Sequence, residues 1–303
     1  MTDPSRNPML VGRRGTLKLF AAAAVASGAG ALLSEKTAFG ATQFHLTQVR
    51  NATLRVDYAG VRFLIDPMFA GKGATPGFEG SANSKLRNPL VDLPLTVEQL
   101  ADVDAVVVTH LHSDHWDDEA AAILDKKLPL FAQNDEDAAH IRSQGFQDVR
   151  TLTENTEFQG IHLAKTGGQH GTDATLEAIP ALGQVCGVVF SHPSNKRLYL
   201  AGDTIWNEHV AAAISRHHPE IIVLNAGKAV FPGFPPIIMG EEDVLAVHKA
   251  APEATLIASH MEAVNHCVLS RAALRAYSEE QGFASSLLVP ADGETLAFND
   301  RHS

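Results

Sequence analysis

Cysteine is nearly missing from this chain, with two in 303 residues. Cys186 and Cys267 allow one disulfide at most; their spacing does not show that they meet, and a buried free thiol is the commoner state. Positive charge is short as well, 24 Lys and Arg against 35 Asp and Glu, which leaves a formal charge of −11. A polyanion binder needs basic patches, so no nucleic-acid partner is expected and a nuclease reading loses ground. Long apolar runs are missing too. The one candidate, alanine-rich and ending at Leu33, is about 15 residues long, short of the ~20 that span a bilayer. Neither an internal repeat nor a low-complexity linker follows it. With 45% hydrophobic and 19% charged residues, the remainder reads as one ordinary globular domain with a substantial core.

The amino terminus carries Arg13-Arg14, then Thr16 to Phe20 leading into the alanine-rich stretch, then small residues at Ala38 and Gly40. This resembles a twin-arginine export signal, with a cytosolic amphipathic helix as the alternative. The resemblance implies a signal peptide over residues 1–40 cleaved near Gly40, a mature domain over 41–303, the export machinery as a partner, and a periplasmic or otherwise exported destination.

Histidine, by contrast, is plentiful at 15. The most informative segment is His110-Leu111-His112-Ser113-Asp114-His115. It follows Val103 to Thr109, a short β-branched run that predicts a strand covered on both faces. It precedes Asp117-Asp118-Glu119 and an alanine-rich run, which predict a helix start. The histidines therefore sit at the carboxyl end of a strand, where α/β proteins place their chemistry. His110 and His112, two residues apart in extended chain, point the same way and can grip one ion; Asp114 and His115, past the bend, are free to grip a second. Three further segments supply donors: Gly167-Gly168-Gln169-His170-Gly171, the strand Arg197 to Ala201 ending at Gly202-Asp203, and the strand Leu256 to Ser259 ending at His260.

Together, His110, His112, Asp114, His115, His170, Asp203 and His260 resemble the ligand set of the metallo-β-lactamase superfamily. Ile65-Asp66-Pro67 and His260 to Cys267 resemble the branch that includes bacterial ascorbate-6-phosphate lactonase. The resemblance spans roughly residues 43–295. It implies an α/β fold, the four-layer αββα sandwich; periodicity alone would equally fit a doubly wound sheet. It also implies one ion on His110, His112 and His170, a second on Asp114, His115 and His260, and Asp203 bridging them. Imidazole and carboxylate donors suit Zn²⁺, with Mn²⁺ or Fe²⁺ as alternatives. Two such ions activate water for hydrolysis, with Asp114 as the catalytic carboxylate that orients the nucleophile and passes its proton. By the same resemblance, true β-lactamases carry Cys or a small hydroxyl residue at the position of Asp203. The expected substrate is therefore a small ester-like molecule, a lactone first. A small phosphodiester or phospholipid, and a metal-binding scaffold without turnover, are the alternatives.

Other residues remain open. Asp66 either fixes a ligand imidazole or simply forms a turn before Pro67. Lys228 either neutralises a substrate anion or is solvated, and His266 either contacts substrate or serves as a supporting or core histidine. Two segments are expected to shape the pocket: Met68 to Leu93, long and glycine-rich, and the apolar Ala226 to Met239, which lines a pocket, packs in an oligomer interface or joins the core. Helices are expected at about 135–144, 205–216, 241–250 and 270–281. Strands are expected at 53–58, 61–66, 185–190, 197–201, 221–225 and 256–259, with a hairpin at Ala59-Gly60.

Overall fold

A computed structural model describes residues 43–299; the segment read as an export signal, 1–40, lies outside the described residues. Two seven-stranded sheets face each other. The first takes Gln43–Arg50 (β1), Thr53–Tyr58 (β2), Val61–Ile65 (β3), Ala105–Val108 (β4), Leu130–Ala132 (β5) and Val149–Thr151 (β6). The second takes Thr156–Phe158 (β7), Ile161–Gly167 (β8), Cys186–Ser191 (β9), Leu198–Leu200 (β10), Ile221–Asn225 (β11), Thr255–Ser259 (β12) and Leu287–Leu288 (β13). The last strand, Thr295–Asn299 (β14), returns to pair with β1. Both sheets mix orientations: β3 to β6 run parallel, as do β10 to β13, while the hairpins are antiparallel.

Side-chain alternation explains the layering. Along β4, Ala105 and Val107 enter the core between the sheets, while Val106 and Val108 pack outward. Likewise on β11, Ile221 and Val223 face in, and Ile222 and Leu224 face out. Strands buried on both faces need covering on both. Outside the first sheet the cover includes Asp118–Ile123 and Asp135–Ser143; outside the second it is Glu208–His217, Glu241–Ala250 and Arg271–Glu280. The expected αββα sandwich is the fold observed. Among the described residues no helix is long and apolar enough to cross a membrane.

Element ends differ from expectation where side chains are diverted. The helix expected from 205 begins at Glu208, because Asn207 caps it by accepting from the His209 and Val210 amides. Thr204 meanwhile is engaged with Gln169 and Asn207. The strand expected over 103–109 is confined to 105–108: Asp104 accepts from the Arg62 amide, and Thr109 turns to Asp66. The long 68–93 segment is anchored by buried Arg50, which donates to the Met68, Ala70 and Val91 carbonyls.

Candidate metal centre

All seven expected donors meet at the carboxyl ends of the parallel strands. His110 follows β4, Asp203 follows β10 and His260 follows β12, while Asp114 and His115 lie on the turn after β4 and His170 on the loop after β8. Six of the seven are buried, and His112 is partly exposed. Asp203 lies at the middle: its Oδ2 is 3.2 Å from His115 Nε2, 3.5 Å from His170 Nε2 and 3.9 Å from His110 Nε2, and its Oδ1 is 3.7 Å from His260 Nε2. Asp114 Oδ2 is 3.2 Å from His260 Nε2. Three sets have spacing that could hold an ion: His110, His112 and His170; His110, His115 and Asp203; and Asp114, His115 and His260.

The outer partners fix where the imidazole protons lie. His115 Nδ1 donates to Asp66 Oδ2 at 2.9 Å, and His170 Nδ1 donates to the Ile237 carbonyl at 2.9 Å. Thr109 Oγ1 spends its proton on Asp66 Oδ2, so at 3.1 Å it can only accept from His110 Nδ1. His112 Nε2 donates to the Ala181 carbonyl. In their neutral forms these four rings therefore turn lone pairs inward. Yet His110 Nε2 and His112 Nδ1 lie 3.0 Å apart, and His115 Nε2 and His260 Nε2 lie 3.1 Å apart. Lone pairs aimed at one another beside two carboxylates repel unless a cation lies among them, so the donor set fits divalent metal.

Electrostatics say the same. Burial lowers His110 well below the ordinary histidine value and takes His170 down to about 4. Burial also works against charge on His115, but Asp203, Asp66 and Asp114 outweigh it and raise that ring to about 10. Asp203, although burial opposes its ionisation, is held well below the carboxylate range by His115, His260 and His170. The centre calls for positive charge.

Asp66 makes the contact that a ligand-fixing role requires. It has φ +44, and its two oxygens take the Thr109 amide, the Thr109 hydroxyl and His115 Nδ1. Lys228 is paired at 2.7 Å with Glu241 and lines a separate depression, not the pocket over the donors. The charge of Glu241, which opens a helix, holds it there. The two thiols are free; Cys186 is buried near the Thr109 carbonyl, and Cys267 Sγ sits 3.4 Å from His260 Nδ1. Supporting residues not foreseen are Asn51, which donates to the Asp114 carbonyl and Oδ2, and Asn225, which donates to Asp203 Oδ1 at 2.6 Å. Asn225 ends a predicted strand beside Asp203's own, a signal that could have found it. Asn51 gave none.

A cavity of about 390 Å³ opens over the donors. His112, Asp114, His170 and Asp203 form its floor; Phe78, Leu111, Ile179, Leu182, Phe231 and Ile237 supply apolar wall, with Glu79 and His266 beside them. Among the described residues neither Lys nor Arg lines it. Ala226 to Met239 serves two of its expected purposes, since Ala229, Ile237 and Ile238 are buried in a small cluster and Phe231 and Ile237 also face the cavity.

The family model described as beta-lactamase superfamily domain matches residues 61–261. UPF0173 protein YddR of Bacillus subtilis is 49% identical over 255 residues, 84% of this chain and 100% of that one. Among solved structures, an isothiocyanate hydrolase from Delia radicum gut bacteria is 50% identical with TM-score 0.82, covering 84% of this chain and 99% of its own. A possible metal-dependent hydrolase from Veillonella parvula is 44% identical with TM-score 0.82, covering 83% and 98%.

Proposed function

From the premise that this chain belongs to the metallo-β-lactamase superfamily and its UPF0173 family of metal-dependent hydrolases, we propose a dinuclear hydrolase acting on a small uncharged carbon electrophile. An isothiocyanate is the first choice and a lactone the second. The carrying observation is the cavity: apolar walls without Lys or Arg stand directly over the seven converging donors. Such a pocket suits a neutral organic substrate better than a phosphodiester, whose charge it meets with Glu79 and no cationic side chain. The 50% identity with an isothiocyanate hydrolase over nearly its full length favours the heteroallene over the lactone.

In this reading His110, His112 and His170 hold one ion, Asp114, His115 and His260 the other, and Asp203 is shared. When bound, the ions lower the pKa of a water and polarise the electrophile. Asp66 and the Ile237 carbonyl keep His115 and His170 in the tautomer that presents Nε2 inward. Asn51 holds the Asp114 carboxylate, and Asn225 holds Asp203. Asp114 takes a proton from water and passes it to the leaving heteroatom; for an isothiocyanate it carries the second water proton to the nitrogen as well, when the C–N bond of the thiocarbamate breaks to release carbonyl sulfide. The balanced outcome for an isothiocyanate is R–N=C=S + H₂O → R–NH₂ + COS; for a lactone it is the hydroxy acid. The apolar walls exclude bulk water and orient the R group.

The test is a panel of alkyl and aryl isothiocyanates, lactones and phosphodiesters given to metal-loaded protein. Amine and carbonyl sulfide release is expected; turnover confined to diesters would overturn the reading. The export proposal rests on Arg13-Arg14 and the alanine-rich run. Replacing both arginines with Lys should leave unprocessed, folded protein in the cytosol, and continued export of that variant would end the proposal.

A further inference from the structure

His266 is one residue that the arrangement above does not use. The residue is 6% exposed, and its Nδ1 is buried without a hydrogen-bond partner. Leaving a buried polar atom unpaired costs about 1–3 kcal/mol, so a purely structural role is a poor account of an imidazole here. The ring also lines the cavity beside Asp114. Because Nδ1 is enclosed, Nε2 is the ring nitrogen that can meet the cavity.

The position of this ring is determined with unusual care. Phe78 stands edge-on to it at 4.7 Å and Phe231 at 6.3 Å, so the two pocket segments grip it. Both segments are fastened at this point of the chain. Neighbouring Asn265 accepts from the Phe78 amide and from Asn88 Nδ2, and donates to Ser81 Oγ and the Ala82 carbonyl. The His266 carbonyl accepts from the Val230 amide at 3.0 Å. One dipeptide thus ties 68–93 and 226–239 together and sets an imidazole between their aromatic side chains.

We propose that His266 is a substrate-contacting residue, its Nε2–H donating a hydrogen bond to the heteroatom that gains negative charge, the nitrogen of an isothiocyanate or the oxygen of a lactone, with Asn265 as the residue that positions it. The proposal rests on the hydrolase reading and deepens it. A neutral donor at the apolar wall supplies polarity opposite the metal floor without attracting anions. Among the described residues no group accepts from Nε2, which leaves its N–H to a substrate atom in the cavity.

His266→Phe separates this role from a structural one, because a phenyl ring fits between two others and removes the unpaired nitrogen. Expected are two retained ions, a melting temperature equal to or above that of the parent, and kcat/KM lowered about ten- to a hundredfold, as for one lost polar contact in a closed site. His266→Gln, which keeps an N–H donor, should recover part of the loss. Parent-like kcat/KM in His266→Phe would overturn the proposal, as would loss of metal or a destabilised fold in both variants, since the ring would then be supporting the structure. A parent enzyme that hydrolyses no isothiocyanate or lactone would instead count against the function reading itself.

Discussion

At the scale of single residues, the centre depends on strained backbone. Asn51, Asp66 and His260 all adopt left-handed φ, at +54, +44 and +57, a region that costs a non-glycine residue about 1–3 kcal/mol. Each repays the strain with a contact that a relaxed backbone would lose. Asp66 reaches Thr109 and His115, Asn51 reaches Asp114, and the His260 amide donates to the Asn51 carbonyl at 2.9 Å while its ring enters the centre. Asp66→Asn keeps the shape but offers an N–H where His115 Nδ1 needs an acceptor, or forces that ring into the wrong tautomer. Metal affinity should fall about 10–100-fold, the range for partners of ligating histidines. Competition with a chromogenic chelator measures it, and unchanged affinity would mean that Asp66 serves only the turn before Pro67.

At the scale of elements, the sequence was most readable where periodicity and chemistry coincide. Val106 to Val108 followed by His-x-His-x-Asp-His announces both a buried strand and its duty, and the three other donor segments repeat the pattern of a strand or glycine loop ending in His or Asp. Legibility fails where the partner lies far away in sequence. Nothing near Asn51 shows that it will support Asp114, 63 residues on, and nothing near Asn265 shows that it will fasten Phe78 and Ser81, more than 180 residues earlier. Lys228 stayed open because its charge was visible while its partner Glu241 belongs to the next helix. Gly227 shows a subtler limit. A Cβ there would lie 2.7 Å from Cys267 Sγ and 2.9 Å from its Cβ, so this glycine gives Cys267 room to stand against His260. The sequence shows a glycine after a strand, which many turns require; only the packing shows that the requirement here is close approach rather than backbone freedom.

At the scale of the whole molecule, two sheets held by their core deliver like-charged and lone-pair-bearing groups to one edge, and the fold must support that concentration with or without metal. The consequence shows in pH dependence. Burial takes His170 and His266 down to about 4, below the 6.5 of an unperturbed ring. The unfolded chain therefore binds those protons more tightly, and stability is lost as pH falls from about 6.5 towards 4. His115 has the opposite sign: held at about 10 against burial by Asp203, Asp66 and Asp114, it contributes stability that is full below about 6.5 and is lost as pH rises towards 10. The melting temperature of metal-free protein should accordingly peak near pH 6.5 and decline on both sides. Divalent metal replaces the His115 proton as the positive charge among the carboxylates, so saturating Zn²⁺ should flatten the alkaline decline and steepen the acid one, because the ligands must be deprotonated to bind. Thermal melts of chelator-treated and zinc-loaded protein across about pH 5 to 9 test this. A metal-free melting temperature that keeps rising above neutrality would show that the carboxylates at this edge are not balanced by a proton on His115.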